Sequence, residues 1–463
     1  MSKIAIYMSG NYAEILKHLP EFLEEHEYVG YCQNGPSYDV IKSMPVFKEV
    51  FYLFEKFNFK INSLNFQELK KCIPFNLFRV SASDKYHFKR LSGKDHERVL
   101  LTMYSIMNEW LENSNPSIVF FPIIESIDAM ILYHIAKSRN IETICYGHAR
   151  QVNRSFFSDS YLELLPSFSK SITTKVEHIN NANAFLTAYK LSPGKMSYAN
   201  QIKELYSSFQ NQDQLSYHKP INLFLRFIRK IKLKLTYEKW NQLSLFYIKF
   251  LVTIERIVLP IQKQAYLIFE KLYLKPINKL PKSFDYFPLH FSPESSINTP
   301  APFYIDQMRV IDEIMLTRDS NQLLLVKEHP SMYLKRNFSF YKALKKKPFI
   351  RIVSKKFNSQ ELIQKSNYTY SVTGTACMEA FLLNKKWKML GQNFLSEFLK
   401  ENSEGTPTDF ISTIYKVSAE FVLYSPPLKD GVRKKALFSK QNLINMSEYF
   451  RFYLENINKS NLT

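Results

Sequence analysis

The chain has 463 residues, which is longer than one hydrophobic core usually serves, so we expect two domains. Hydrophobic residues make up 45% of the chain and charged residues 22%, a balance that excludes an intrinsically disordered protein. The formal charge of +20 predicts an anionic partner: a nucleic acid, an anionic membrane surface or a phosphorylated substrate. The four cysteines lack the spacing of a metal site or a disulfide framework and indicate a reducing compartment.

The N-terminal half alternates predicted strands and helices. The run KIAIYM at residues 3–8 has no basic region before it and no cleavage site after it, so we interpret it as a strand and not as a signal peptide. A later unit runs from SIVFFPI (117–123) through a helix to ETICYGH. This order predicts a parallel sheet in a Rossmann-like domain over residues 1–216. Ligands of such sheets bind at strand carboxyl ends, where the sequence places Glu125, Asp128, His148 and Arg150.

Residues 217–283 interleave Lys and Arg with Leu, Ile, Phe and Tyr, and Pro260, Pro276 and Pro281 divide them. We interpret this segment as a basic amphipathic helical insertion between the domains, of a kind that suits an anionic membrane surface better than nucleic acid. Its most apolar window, LSLFYIKFLVTIERIVLPI, is interrupted by Lys249, Glu255 and Arg256. We therefore predict no transmembrane helix.

From Phe284 onwards strands and helices alternate again as far as WKMLG. This pattern predicts a second Rossmann-like domain over residues 284–425, with C-terminal helices over 426–463. The predicted fold class is α/β with two Rossmann-like domains.

Two short motifs in the second domain have the chemistry of a phosphate site. The strand QLLLVKEH ends in a cation and an imidazole, Lys327 and His329, which could neutralise a nucleotide phosphate. The alternative is a solvated pair of Lys327 with Glu328 and a histidine that packs under a loop.

The second motif is YTYSVTGTACMEAF, in which hydroxyl residues and a glycine lie between a strand and a helix. A helix N-terminus offers N–H groups and a positive dipole end to phosphate, and Glu379 one turn later could hold ribose hydroxyls. The alternatives are a turn capped by Thr375 and a solvated glutamate. The candidate phosphate ligands of this motif are Ser371, Thr373, Gly374 and Thr375.

The segments FPLHFSPESS, LLLVKEHP, NSQELIQKS and SVTGTACMEAFLLNKKWKMLG, in this order, resemble the capsule-polysaccharide biosynthesis glycosyltransferases, which include the Kdo (3-deoxy-octulosonate) transferases. The resemblance covers most of residues 284–398. It implies a GT-B fold, with the acceptor held by the N-terminal domain and the donor nucleotide by the C-terminal domain across a cleft. The sequence departs from the family pattern at Asn384–Trp387, where a turn of small residue, Gly, Lys and Pro is common.

The resemblance also implies roles for single residues. His329 and Pro330 would form the family's HP motif near the donor phosphate, Thr373, Gly374 and Thr375 would hold the phosphate, and Glu379 would hold the ribose. A CMP-linked acidic sugar is the donor that the family suggests, as a substrate and not as a bound cofactor.

Sugar transfer also needs a base for the acceptor hydroxyl or a carboxylate nucleophile. We rank His148 and Glu294 first because both lie in loops after strands. Other candidates have structural alternatives: Glu125 and Asp128 as first-turn helix charges, and Asp306 as a helix cap. His290, in turn, could simply pack after its strand. The remaining candidate bases are Glu125, Asp128, Asp159 and Asp306.

The sequence contains no GxGxxG, Walker A, His-Glu-x-x-His, paired-cysteine or Asp-x-Asp motif, so we expect no cofactor and no metal. We interpret the chain as a cytoplasmic, metal-independent glycosyltransferase, peripheral to the inner face of the membrane, that extends a capsule-like or other surface glycan on a glycan or glycolipid acceptor. One alternative is a transferase of glycerol phosphate from CDP-glycerol, of the teichoic-acid type. The other is a non-enzymatic protein that binds anionic surfaces.

Overall fold

A computed structural model of the chain describes most of its residues. The described residues are 2–10, 12–33, 35–56, 67, 69, 71, 77–83, 93–162, 164–193, 198–209, 264–291, 295–318, 321–332, 336–423 and 436–460.

The strands, numbered in chain order, are β1 (Lys3–Met8), β2 (Glu27–Cys32), β3 (Phe47–Tyr52), β4 (Ile118–Phe121), β5 (Glu142–His148), β6 (Ser155–Ser158), β7 (Phe284–Pro288), β8 (Leu323–Lys327), β9 (Ile350–Ile352), β10 (Tyr368–Ser371) and β11 (Lys386–Met389).

The helices are α1 (Tyr12–Leu16), α2 (Gly35–Ile41), α3 (Leu53–Lys56), α4 (Leu77–Ser83), α5 (Gly93–Ser114), α6 (Ile127–Ser138), α7 (Val176–Leu191), α8 (Tyr198–Phe209), α9 (Ser295–Asn298), α10 (Gln307–Thr317), α11 (Phe338–Lys346), α12 (Ser359–Lys365), α13 (Thr375–Leu382), α14 (Phe394–Glu401), α15 (Pro407–Val417) and α16 (Lys440–Ser460). A π-helical turn covers Glu270–Leu274, and short 3-10 turns cover Leu19–Glu21, Ser167–Lys170, Pro302–Tyr304 and Pro330–Met332.

The structure divides the chain into two compact units. The first holds the described residues of Met1–Asn183, Met196–Leu243 and Ile411–Thr463, and the second holds those of Ala184–Lys195 and Ser244–Phe410.

The first unit is built on a six-stranded sheet with the order β3-β2-β1-β4-β5-β6. All pairs are parallel except β5 with β6, which is antiparallel and aligns Ser155 with His148. The central strands are continuous apolar runs because both faces are covered, as is usual for parallel sheets. The order reverses between β1 and β4, so the carboxyl ends of these two strands form the sheet's switch point.

The second unit contains a five-stranded parallel sheet with the order β11-β10-β7-β8-β9. Alternate residues of β7 and β8 face two different apolar layers: Phe287, Leu324 and Val326 pack in one, and Tyr286 and Leu325 in the other. Here the switch point lies between β7 and β10. Two doubly wound, mainly parallel sheets confirm the predicted α/β class with two Rossmann-like parts.

The second unit ends at Phe410, before the boundary predicted at residue 425. The described residues from Ile411 onwards belong to the first unit. Ser155 and Ala419 exchange backbone hydrogen bonds of 2.8 and 2.9 Å. The guanidinium of Arg451 on α16 lies 2.7 Å from the Glu25 carboxylate, and the Phe450 ring packs on Phe157. Contacts of such long sequence separation leave no local pattern from which the boundary could be predicted.

Most of the predicted basic insertion at 217–283 lies outside the described residues. Among the residues that the structure does describe, no helix combines the length and the apolar character that crossing a membrane requires.

Candidate functional site

The candidate donor residues gather at the carboxyl edge of the second unit's sheet. β8 ends at Lys327, β10 ends at Ser371, and α13 begins at Thr375. These ends flank or adjoin the switch point, where open α/β sheets bind their ligands. The residues of the two motifs are thus brought together, although they are separated by about forty positions in the chain.

His290, which the sequence suggested only as a packing residue, lies at this switch point directly after β7. Its ring is 7% exposed. The Val372 N–H donates to Nε2 at 3.1 Å, and the Ser371 hydroxyl lies 3.3 Å from the same atom. Because Nε2 accepts the hydrogen bond of the Val372 N–H, the ring carries its proton on Nδ1. The histidine therefore joins the ends of β7 and β10.

A short turn from Ser371 to Thr375 joins β10 to the N-terminus of α13. The Ser371 hydroxyl accepts the Gly374 N–H at 3.0 Å. Gly374, and not Thr375, is the N-cap residue of α13, and as a glycine it has no side chain with which to cap the helix. A Cβ on Gly374 would lie 2.8 Å from His290 Cε1, so only glycine lets the turn approach the imidazole this closely. The N–H groups of the first helical turn point out of the helix end and are of the kind that can donate to an anion.

Lys327 is a buried cation without a buried anion beside it. Lys327 is 8% exposed, and its ammonium donates to the Ser359 hydroxyl at 2.9 Å. Among the described residues no carboxylate lies within 4.0 Å of the ammonium. Burial lowers the pKa of Lys327, since nothing local compensates the charge.

Glu328 does not form a solvated pair with Lys327. Its carboxylate, 9% exposed, accepts from Arg336 Nε at 2.8 Å and from the His329 N–H at 2.7 Å, and Tyr341 donates to it as well. Arg336 also donates to the His290 carbonyl at 2.8 Å. Glu328 and Arg336 therefore fix the loops after β7 and β8 to each other.

His329 and Pro330 follow directly, and Pro330 opens a 3-10 turn. The His329 ring lies 5.9 Å from the ring of Phe291, measured between centroids. Burial lowers the pKa of His329, and so the ring is neutral near pH 7.

Glu379 is buried on α13, one turn after Thr375. Gln360 Nε2 and the Thr375 hydroxyl hydrogen-bond to its carboxyl group. Burial raises the pKa of Glu379 to about 7. Since Ser359 contacts Lys327 and Gln360 contacts Glu379, the start of α12 connects the two motifs. Gln360 is not among the residues predicted from the sequence. The signal for it is the Asn-Ser-Gln start of a helix in the segment NSQELIQKS, which is part of the family resemblance.

This edge combines a buried ammonium, two imidazoles, a helix N-terminus that begins at a glycine, and a carboxyl group whose pKa is raised to about 7. The first three suit phosphate oxygens, and the last suits sugar hydroxyls. Within the described part of the chain no group of three or more His, Cys, Asp or Glu could hold a metal ion.

In the first unit, Asp128 is completely buried at the start of α6. It accepts the Tyr7 hydroxyl at 2.9 Å and the Gln33 amide at 2.8 Å, and so connects the carboxyl ends of β1 and β2. Burial raises the pKa of Asp128 to about 6. Glu125 lies in the preceding loop and is 9% exposed.

His148 ends β5, and its Nδ1 accepts the Arg150 N–H at 2.9 Å. Burial lowers the pKa of His148 to about 3, which makes the imidazole a weak base. Arg150 has a φ of 62° in the tight turn that leads to β6. The turn holds both residues at the carboxyl edge of the first sheet.

The remaining candidate bases lie elsewhere. Asp159 follows the antiparallel strand β6 and so lies at the opposite edge of the sheet, with its carboxylate 3.9 Å from Lys137 Nζ. Asp306 is the N-cap of α10, where it accepts the Met308 N–H at 3.0 Å, as the capping alternative predicted. Glu294 is outside the described residues.

No protein-family model matches the sequence, and no curated protein matches it. Among solved structures the chain is similar to two structures of KpsC from Thermosulfurimonas dismutans. One is a β-Kdo 2,4 transferase (11% identity, TM-score 0.38, 69% of this chain and 87% of the other covered), and the second is a β-Kdo 2,7 transferase (11%, 0.33, 80% and 97%). It is also similar to a UDP-GlcNAc 2-epimerase from Methanocaldococcus jannaschii (10%, 0.22, 97% and 99%).

The similar structures thus include Kdo transferases, the class of enzyme within the resembled family, together with an epimerase of a nucleotide-sugar. At these identities and TM-scores, the reaction of this chain has to be argued from its own residues.

Proposed function

We propose that the chain is a glycosyltransferase that takes its sugar from a nucleotide-sugar donor bound at the carboxyl edge of the second unit's sheet. The observation that carries the proposal is Lys327, a buried ammonium with a neutral hydroxyl as its hydrogen-bond partner at a strand's carboxyl end. A buried cation of this kind is stabilised when an anion binds beside it. The donor phosphate is that anion.

The other residues of the edge have complementary roles in this proposal. The N–H groups at the start of α13 and the imidazoles of His290 and His329 stabilise the phosphate as the bond to the sugar breaks. Glu379 receives ribose hydroxyls and exchanges its contact with Gln360 for them. Pro330 and Thr373 shape the loops that carry these groups.

The acceptor in this proposal is a surface glycan or a lipid-linked glycan. The first unit presents Glu125, Asp128, His148 and Arg150 at the carboxyl edge of its own sheet. Because burial lowers the pKa of His148 to about 3, we prefer Glu294 over His148 as the proposed acceptor base or nucleophile. The segment 217–283 would hold the protein at the inner membrane surface, a proposal on residues that the structure leaves largely undescribed.

Donor turnover tests the reaction class. Purified protein is incubated with CMP-, UDP- and GDP-linked sugars and, separately, with CDP-glycerol, and the release of free nucleotide is measured by ion-pair chromatography. We expect release from at least one sugar nucleotide, faster with a glycan acceptor, and none from CDP-glycerol. Consumption of CDP-glycerol alone would identify a polyol-phosphate transferase. Conversion of the sugar to its epimer without transfer would identify an epimerase.

A further inference from the structure

The first unit contains a pocket that neither motif of the donor site explains. Its volume is ≈ 400 Å³, which is within the range of small-molecule sites. The turn before β6 contributes Arg154, the end of α15 contributes Lys416, and α16 contributes an aromatic wall. We call it the Arg154 pocket.

Arg154 is held rigidly at this pocket. Its Nε donates to the Ser418 hydroxyl at 2.9 Å, and its Nη2 donates to the Ser418 carbonyl. The guanidinium lies 5.4 Å from the centre of the Tyr415 ring. Its nearest carboxylate, that of the exposed Glu420, is 4.0 Å away, and the Arg154 side chain is 21% exposed. A guanidinium fixed by neutral groups keeps most of its attraction for an anion.

Lys416 adds a second positive charge on the same wall. It is partly buried, burial lowers its pKa, and in the described part of the chain no carboxylate lies within 4.0 Å of its ammonium. Burial lowers the pKa of the nearby His178, and the positive charges of Lys416 and Arg154 contribute to the same shift. Both cations line one pocket, and among the described residues neither has a buried counter-ion, so the pocket favours the binding of an anionic group.

The rest of the pocket suits a sugar ring. Tyr449 and Phe452 form the aromatic wall, with ring centroids 5.5 Å apart, and Tyr449 is fixed by its hydrogen bond to the Val417 carbonyl. Tyr449 is 4% exposed and also packs on Phe157 and Phe421, so the partly exposed Phe452 is the ring that the C–H face of a pyranose can reach. The exposed carboxylates of Glu420 and Glu448 line the same pocket and can accept hydrogen bonds from sugar hydroxyls.

The location of the pocket agrees with an acceptor site. Arg154 directly precedes Ser155, which pairs with His148 at the end of β5. Arg154 therefore lies at the carboxyl edge of the first unit's parallel strands, the edge where such sheets bind ligands.

We propose that the Arg154 pocket binds an acidic sugar of the acceptor glycan, with the sugar carboxylate at Arg154 and Lys416 and the ring against Phe452. That the sugar belongs to an acceptor rests on the proposed glycosyltransferase function, whereas binding of an acidic sugar does not depend on it.

Calorimetric titration of the full-length protein tests the pocket directly. Sodium glucuronate, glucose and inorganic phosphate are titrated separately at equal ionic strength. Lys416→Gln removes the charge that has no carboxylate partner, Lys416→Arg retains it, and Lys56→Gln makes the same charge change at an exposed position of the same unit. We expect glucuronate to bind wild type, Lys416→Arg and Lys56→Gln alike, and to bind Lys416→Gln at least about tenfold more weakly. Glucose should bind far more weakly than glucuronate.

Three results would overturn the proposal: equal glucuronate affinity in Lys416→Gln, equal affinities for glucose and glucuronate, or binding of phosphate without binding of glucuronate. The last would identify a phosphate site in place of a sugar site. Donor turnover without acceptor, measured on the same samples, separates the two proposals. Turnover without glucuronate binding removes only the pocket, whereas glucuronate binding without turnover of any donor removes only the transferase.

Discussion

Two buried cations of the second unit lie at opposite ends of one sheet and have opposite surroundings. Arg318 lies at the amino end of β7, where its side chain is 3% exposed and pairs at 3.0 Å with the Asp285 carboxylate, which is 1% exposed. Arg318 also donates to the Gln322 carbonyl at 2.7 Å. Lys327 lies at the carboxyl end of β8 and has a serine hydroxyl as its hydrogen-bond partner.

The difference in surroundings indicates that the buried cation at the amino end of this sheet contributes to stability and the one at the carboxyl end to ligand binding. Arg318 and Asp285 compensate each other's charge in the folded chain, so removing either charge leaves the other buried and uncompensated. Lys327 is already uncompensated, and an anionic ligand can complete its surroundings. The amino end should therefore respond to mutation in stability, and the carboxyl end in ligand binding and turnover.

The largest effect on stability should follow Asp285→Asn. The substitution leaves the Arg318 guanidinium buried without its counter-ion, and we expect the free energy of unfolding to fall by about 3–5 kcal/mol. Urea unfolding followed by circular dichroism measures the change. Glu361→Gln, which breaks an exposed pair with Lys365 in the same unit, is the matched control and should cost less than about 1 kcal/mol. Equal losses in the two variants would contradict the assignment of Asp285 to stability.

Lys327→Met should have the opposite profile. We expect nucleotide release to fall by about 10²–10³-fold because a donor to the leaving phosphate is lost. The melting temperature without ligand should change little, since the ammonium was buried without a counter-ion. Lys342→Met makes the same charge change at an exposed position of α11 and should retain full turnover. If Lys327→Met unfolds the protein and Lys342→Met does not, the lysine belongs with Arg318 as a structural cation.

Glu379 predicts a pH dependence of stability. Its pKa is about 7 in the folded chain and near 4.5 when exposed, so the folded state keeps a proton that the unfolded state loses. Between pH 4.5 and 7 the free energy of unfolding should therefore fall as pH rises, by on the order of 3 kcal/mol for this group. Glu379→Gln should remove this slope. Urea unfolding of both proteins at several pH values measures it, and parallel profiles would show that Glu379 titrates normally.

The smallest effect is expected at Asp306, the carboxylate that caps α10. Asp306→Ala should lower the free energy of unfolding by about 1 kcal/mol through loss of the bond to the Met308 N–H. Nucleotide release by the folded protein should be unchanged, because the carboxylate serves the helix. Asp306→Asn keeps the cap and should restore stability. Lost turnover in both variants would return Asp306 to the candidate bases.

The sequence predicted the residues that close a strand or open a helix. Lys327, Ser371 and Thr375 are of this kind, because hydrophobic runs and helical periodicity show where β8 and β10 end and where α13 begins. The two parallel sheets followed from the same patterns.

What the sequence could not predict depends on which strands are neighbours. His290 gains its importance from the pairing of β7 with β10, and its contact to Val372 spans 82 positions. The bond of Gln360 to Glu379 and the return of the chain to the first unit at Ile411 are likewise tertiary contacts. Glu328 pairs with Arg336 and not with its neighbour Lys327. This choice depends on the path of the loop after β8, and a loop has no periodic pattern from which its path could be predicted.

The most direct test of the account is a thermal-shift comparison of wild type, Lys327→Met and Lys342→Met with CMP, CDP, UDP and GDP. A ligand that binds only the folded chain raises its stability by RT ln(1 + [L]/Kd). The account predicts that at least one nucleotide raises the melting temperature of wild type and Lys342→Met, and that Lys327→Met loses this shift. A shift that persists in Lys327→Met, or the absence of any shift in wild type, would contradict the assignment of this edge to the donor phosphate.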